Sequence, residues 1–449
     1  MAIRKSKIIA ISVFSISFLA FFFGFLFNAW HVLEKNKFLA NQAESLVLGR
    51  LVESRTNGIF AGGGLCGRCN DKSVTGNAFD YQYTAYKENL PCRSFYPYLS
   101  QIAFHAAVYS MIDKISPFSP DINLWILRAF KVTLLALVMS LIVYWFFLEF
   151  GLISAIFVFL GVLLTPWFTY LGRDLWFCVW TNFLPFVISL FVLRREHELQ
   201  RPSEFRILLY TGLGILINFI FNGYEWVSTT LVMATIPFFF YWRKDEWPVK
   251  KLVRRIGWIF AGSLASLLAT FTILVFQISR VKGNFSNGID WLIFSFQKRS
   301  YGGADLPEVY SKQVNHPLWE VFLRYFAAAA FKFPKFMTDH LPWWLDQVFF
   351  AEVVFLFLVL TALFYHPRNL LKLTPERTNQ LRNLAIVTWI SILAPFSWYV
   401  IFKGHAWSHD HINFITWFMP FCLFGLAMTG ATVSSLIKNM KSMPRKHFP

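Results

Sequence analysis

The stretch KGHAWSHDHINF, Lys403 to Phe414, sets His405, His409 and His411 around Asp410, so three of the chain's ten histidines fall in one short turn. Imidazoles beside a lysine can bind phosphate by hydrogen bonds and charge. In a helical turn His405 and His409 share a face, and in an extended stretch His409 and His411 do, so either pair with the third His beside it also fits a zinc ion. Packing at the polar ends of two helices is the third reading. Other ionisable residues sit equally close to apolar runs: Arg173 and Asp174 in LGRDLWF, Glu225 in NGYEW, and Arg128 and Lys131 three apart in LWILRAFKVTLL. Charges at bilayer depth are expensive and raise a functional hypothesis by default. Each also has a plain structural reading, as a neutralising pair (Arg173 with Asp174), a partner for a base (Glu225) or a side chain snorkelling to the interface (Arg128). Taken together, bases with a few carboxylates at one membrane face suit an anionic phosphate substrate.

The elements that must position these residues are membrane helices. Of 449 residues 56% are hydrophobic, 19% aromatic and only 15% charged, against about 25% charged in ordinary soluble domains. Apolar runs of about 20 residues, each able to span a hydrocarbon core, recur at 8–28, 122–149, 152–171, 176–193, 207–222, 226–241, 256–277, 346–365, 384–402 and 415–434. The expectation is an all-α polytopic membrane protein of about ten transmembrane helices forming one integral domain over 1–449. The basic start followed by a long apolar run reads as a retained first helix rather than a cleaved signal peptide. Half of the 42 Lys and Arg residues fall in five short segments, 1–7, 194–206, 242–255, 366–383 and 435–449, all on one side of a ten-helix topology. The positive-inside rule makes that side, and both termini, cytoplasmic. The net charge of +17 is then a matter of topology and implies no nucleic acid.

Two long segments, 29–120 and 278–345, fall outside in this topology. In the first, Asn41–Arg55 and Ser94–Ile112 have amphipathic patterns that suit helices lying in the membrane interface. The first loop supplies the carboxylates Glu34, Glu44, Glu53 and Asp80. Cys66, Cys69 and Cys92 lie there too. A disulfide among these three, a redox-active C-x-x-C or half of a zinc site are all compatible with the spacing.

The phrases GRLVESRTNGIF, TPWFTYLGRDLWF, NFLPF, GYEW and WYVIFKGHAWSHDHINF resemble stretches of bacterial members of the GT-C glycosyltransferases, and the topology is similar over nearly the whole chain. The resemblance implies transfer of a sugar from a polyprenyl-phosphate-linked donor to a glycan, lipid or protein acceptor at the outer face of a bacterial inner membrane. It also implies an essential carboxylate in the first outer loop, for which Glu53 at the end of an amphipathic helix is the choice, and a second in the next outer loop, Asp174. Asp80, Arg173, Glu225, Lys403, His405, His409 and His411 then contact substrate, with the basic groups meeting the charge of the leaving phosphate. The Asp-x-Asp motif of the oligosaccharyltransferases is absent, which leaves a divalent metal open. A lipid or polysaccharide transporter or flippase, and a non-catalytic assembly protein, are the rival classes. Neither inverted repeats nor paired Gly/Pro helix breaks, the marks of many transporters, are present in the sequence.

Overall fold

The computed structural model describes residues 2–34, 42–70, 77–201, 203–303, 306–334, 342 and 346–442. Helices dominate. Among the described residues six are long and apolar enough to cross a membrane: Ile8–Phe27, Pro120–Phe150, Glu204–Asn222, Val249–Lys282, Pro375–Ile401 and Phe421–Met440. A seventh span is added if Leu152–Leu164 and Pro166–Arg173, bent by 60° between them, count as one. The bend falls at Pro166, whose missing N–H and ring end the first helix and start the second. The ten apolar runs read from the sequence fall mostly on helical segments, but several are broken: 346–365 begins in the strand Gln347–Phe349, 384–402 is divided between Pro375–Ser391 and Leu393–Ile401, and 415–434 begins in a 3-10 turn before Phe421–Ser442. Val179–Leu199 and Val227–Lys244 contain Pro185 and Pro237 and turn polar groups such as Thr181, Asn182, Thr229 and Thr230 into the bundle, where all four are buried. Phe350–Tyr365 has only 16 residues.

Aromatic side chains fill the core. Phe25 meets Phe168, and Trp145 packs against Phe146, Phe240 and Phe424, each pair adding roughly 0.5–1.5 kcal/mol beyond burial alone. Where the Phe421–Ser442 helix crosses Leu152–Leu164, a Cβ on Gly430 would meet Ser154 Cα at 2.6 Å. The small residue lets the two backbones approach, as helices in lipid commonly require.

The first long loop differs from its expected form. The helix Glu44–Asn57 is present but buried on every side from Glu44 to Ser54, so it is packed into the protein and has no wet face in an interface. Gly49 presses against the Gly67 carbonyl, which closes one side of the helix. The stretch Ser94–Ile112 divides: Ser94–Pro97 is a strand and only Phe104–Ile115 is helical. That strand pairs antiparallel with Gly67–Asn70, and a second pair joins Ala329–Lys332 to Gln347–Phe349. The fold is therefore mainly, but not purely, helical. Gln82 pins the first pair by accepting from Cys69 N at 2.9 Å and donating to Cys69 O at 2.8 Å.

Cys69 is disulfide-bonded to Cys92, while Cys66 is a buried free thiol. The C-x-x-C pair is thus split between two roles. In the second long loop, helices Phe285–Gln297, Glu308–Val314 and Leu318–Phe326 follow the end of the Val249–Lys282 helix.

Ionic groups gather at both ends of the long helices. Near its start the Pro120–Phe150 helix carries Arg128. Roughly 30 Å further along, at 1.5 Å per residue, its Glu149 accepts from Arg194 at 2.6 Å, Lys244 at 2.7 Å and Tyr241 at 3.0 Å.

After mild reduction of the folded protein, a membrane-impermeant maleimide is expected to label half-buried Cys92 and to leave Cys66, Cys178 and Cys422 unmodified. Peptide mass mapping reads the result, and modification of Cys66 without denaturant would contradict this packing.

Candidate functional site

Two clusters occupy the end of the bundle that bears the long loops. The first is a buried ionic network. Glu44, on the first-loop helix, accepts from Arg128 Nε at 3.0 Å and from its Nη2, from the Tyr83 hydroxyl at 2.7 Å and from Leu175 N at 3.4 Å. Burial alone raises the Glu44 carboxyl, but the charge and hydrogen bonds of Arg128, helped by Tyr83, outweigh it and leave the group below its usual value. Asp174 accepts from Trp176 N at 2.7 Å. Burial, with the negative charge of Glu44 adding to it, pushes the Asp174 carboxyl up to about 7. Lys131 donates to the backbone carbonyls of Leu171, at 2.6 Å, and Asp174, and Arg173 lies 5.0 Å from the Trp125 ring centre. Loop helix, membrane helix and bent pair are joined here.

The second cluster lines a cavity of about 550 Å³. Its walls are mostly apolar and come from distant parts of the chain: Ala43, Leu46 and Tyr98 from the first loop, Trp176 and Phe177 after the bent pair, Leu267 and Phe271 from Val249–Lys282, and Ile293 and Phe296 from Phe285–Gln297. The polar groups on it are few and include Gln101, Glu225, Arg299, His405 and His409. Glu225 sits in the tight turn begun by Gly223, whose φ of +64° and contact with Gln101 leave no room for a Cβ. Its Oε1 is 3.5 Å from His405 Nε2. Burial pushes the Glu225 carboxyl up to about 7, against the pull of the Arg299 guanidinium.

The His405 and His409 rings stack with centroids 4.5 Å apart. Desolvation, with the neighbouring bases adding to it, holds His405 well below its usual value and His409 at about 4. Both rings are therefore neutral near pH 7 and offer hydrogen bonds rather than charge. The turn that carries them is clamped from outside. Trp407 is stacked by His316 at 3.6 Å and by Arg324 at 3.7 Å, and Arg324 also pairs with Asp410 at 3.1 Å.

Of the residues singled out in the sequence, the structure brings Glu225, His405 and His409 together on the cavity. Arg173 and Asp174 lie behind its wall, since Trp176 lines the cavity while its backbone N–H binds Asp174. Lys403 is 4.8 Å from the Tyr301 ring centre and His411 is largely exposed, 3.7 Å from Asp410; neither is a lining residue. Glu53 accepts from Asn57 at 2.9 Å and packs beside the Cys69–Cys92 disulfide. Asp80 is exposed in the first turn of Ala78–Lys87. Neither carboxylate lines the cavity.

Two groups escaped the sequence reading, and a third was named there but not chosen. Glu44, one of the four first-loop carboxylates, is paired with Arg128. Arg299 is the cation on the cavity, and Asn413 holds the histidine turn. Only Glu44 carried a usable signal, standing at the buried start of its helix.

The described residues offer no free set of converging ligand atoms for a metal ion. Among the described residues the one group with three converging ligand atoms is Glu53 with Cys69 and Cys92, and both sulfurs are spent in the disulfide. On the histidine turn, Nδ1 of His405 faces Asn413 and Nδ1 of His409 faces Ser408, and the His409 and His411 rings are 6.2 Å apart. No family model, curated protein or solved structure matches the chain.

Removing one partner of the buried pair strands the other. Glu44→Gln is expected to lower stability by about 3 kcal/mol or more, and the double variant Glu44→Gln/Arg128→Met to be less destabilised than Glu44→Gln alone. Thermal unfolding of the detergent-solubilised proteins makes the comparison; equal losses in the two variants would remove Arg128 as the partner that matters.

Proposed function

We propose that the protein is a membrane glycosyltransferase of the GT-C type. It moves a sugar from a polyprenyl-phosphate-linked donor to a glycan, lipid or protein acceptor at the extracytoplasmic face of a bacterial inner membrane. In this reading the chain crosses the bilayer ten times with both termini cytoplasmic, which agrees with the placement of half its basic residues in five short segments. The observation that carries the chemistry is a carboxyl group raised to about 7 on the wall of a largely apolar cavity, with a guanidinium on the same wall.

In the proposed reaction the acceptor hydroxyl attacks the anomeric carbon through an oxocarbenium-like transition state. The bond between that carbon and the phosphate oxygen breaks, and the lipid phosphate leaves with the electron pair. Glu225 takes the acceptor's proton as general base; a base poised near the working pH combines the right protonation state with useful driving force. Arg299 meets the charge that grows on the phosphate. The apolar wall accommodates the donor's chain. Glu225 replaces Glu53 and Asp174 in the base role because it alone of the three lines the cavity. Arg173 and Asp174 support the wall from behind, and no step needs a metal.

Glu225→Gln should keep donor binding and reduce turnover at least roughly a hundredfold. In the wild type, kcat/KM should rise about tenfold per pH unit below 7 and level off above it, because the ionised carboxylate is the active form and its folded-state value is raised. Arg299→Ala should weaken donor binding. Release of polyprenyl phosphate from purified protein and a defined acceptor measures all three. Full activity in Glu225→Gln would return the base role to Asp174, and movement of lipid across vesicles without release would favour the flippase reading.

A further inference from the structure

The environment of His405 is fixed from behind by an unusual arrangement. Asn413 Oδ1 accepts from two indoles, Trp226 Nε1 at 2.7 Å and Trp398 Nε1 at 3.1 Å. An indole N–H can only donate. Two such donors on one atom leave no choice in the amide's orientation: the oxygen must face the tryptophans and the NH2 must face the other way. There Nδ2 meets the His405 carbonyl at 3.2 Å and His405 Nδ1 at 3.3 Å. An amide NH2 is a donor, so His405 Nδ1 must be the acceptor nitrogen. In a neutral ring the proton then sits on Nε2, the atom 3.5 Å from Glu225 Oε1; at that separation the two are in contact without a hydrogen bond, and Oε1 is a buried acceptor still without a hydrogen-bond partner. Asn413, Trp226 and Trp398 are all buried, so water does not compete for these groups.

We infer that Asn413 is a positioning residue that sets the tautomer of His405 and thereby points an N–H at the Glu225 carboxylate. The inference rests on the assignment of Glu225 as general base only for its catalytic meaning; the hydrogen-bond logic stands without it. A donor aimed at the ionised form favours that form. The ring thus holds a donor beside an unpartnered carboxylate oxygen, ready to close on it when the group ionises inside an apolar wall. The titratable and charged groups facing this pair are Lys298 and Arg299 from the second long loop and His409 and His411 from the histidine turn itself.

Two substitutions move the proton in opposite directions. Asn413→Asp still accepts from both tryptophans but turns an acceptor toward Nδ1. His405 then takes up a proton to serve two carboxylates, and Glu225 gains a charged donor. The double variant Trp226→Phe/Trp398→Phe keeps the aromatic bulk but removes both donors that hold the amide oxygen, so that only the His405 carbonyl still orders the amide and a share of the molecules presents its oxygen to Nδ1, leaving Glu225 facing a lone pair.

The test is the infrared C=O band of protonated Glu225, assigned by its loss in Glu225→Gln and followed against pH. The band's midpoint is expected near 7 in the wild type, lower by about one unit or more in Asn413→Asp, and higher in the double variant. Because this needs no turnover, a failed glycosyltransferase assay with the expected shifts would overturn the proposed function and leave the inference standing. A purely structural Asn413 predicts the same midpoint in every folded variant, and that result would overturn the inference. If Asn413→Asp does not fold, the sign of the shift in the double variant decides.

Discussion

The ion pair between Glu44 and Arg128 joins two chemically unlike parts of the chain, a polar segment between apolar helices and a helix long and apolar enough to cross a membrane. A guanidinium on a membrane helix needs an anion and further hydrogen bonds, and a buried carboxylate needs donors in return. Glu44 supplies the first and, with Tyr83 and Leu175 N, receives the second. This pairing seats the start of the loop helix over the bundle, which places Ala43 and Leu46 in the cavity wall. The adjoining Asp174 holds the backbone of Trp176, the next part of that wall. The cavity is in this sense a product of an electrostatic constraint outside it.

The contrast between two acidic residues at opposite ends of the molecule shows how burial sorts carboxylates by role. Glu149 is surrounded by Arg194, Lys244 and Tyr241 and has its negative charge fully used in holding helices together. Glu225 has one weakly placed imidazole and a guanidinium at longer range. A carboxylate with many donors is a fastening; one with few, beside a space large enough for a substrate, is free to exchange a proton.

The helices could be read from the sequence because an uninterrupted apolar run of about 20 residues has few other uses. Glu225 and His405 were legible for a related reason: in a short turn between two such runs a polar side chain cannot move far from the hydrocarbon. Glu53 stands away from the cavity because amphipathicity assumes one wet face, and the helix that carries it is enclosed by other loop segments, including Gly67 against Gly49, and by Arg128 and Leu175 at its start. Arg299 stands in the sequence QKRS, which reads as an ordinary solvated pair until helix Phe285–Gln297 is seen to bring it onto the cavity. Asn413 had no signal at all, since its role depends on two indoles from other parts of the chain. Local pattern reports burial and period; it does not report which distant donor will claim an amide oxygen.

Trp226 and the Asn413 that accepts its N–H are separated by 187 positions. A chain leaving the ribosome therefore inserts Glu225 and its turn long before the segment that encloses them has been made. Until then neither the indole N–H nor the carboxyl has the surroundings described above. A nascent or truncated chain lacking that closing segment would leave Trp226 without its acceptor and Glu225 without its enclosure; if the proposed function holds, such a chain is inactive.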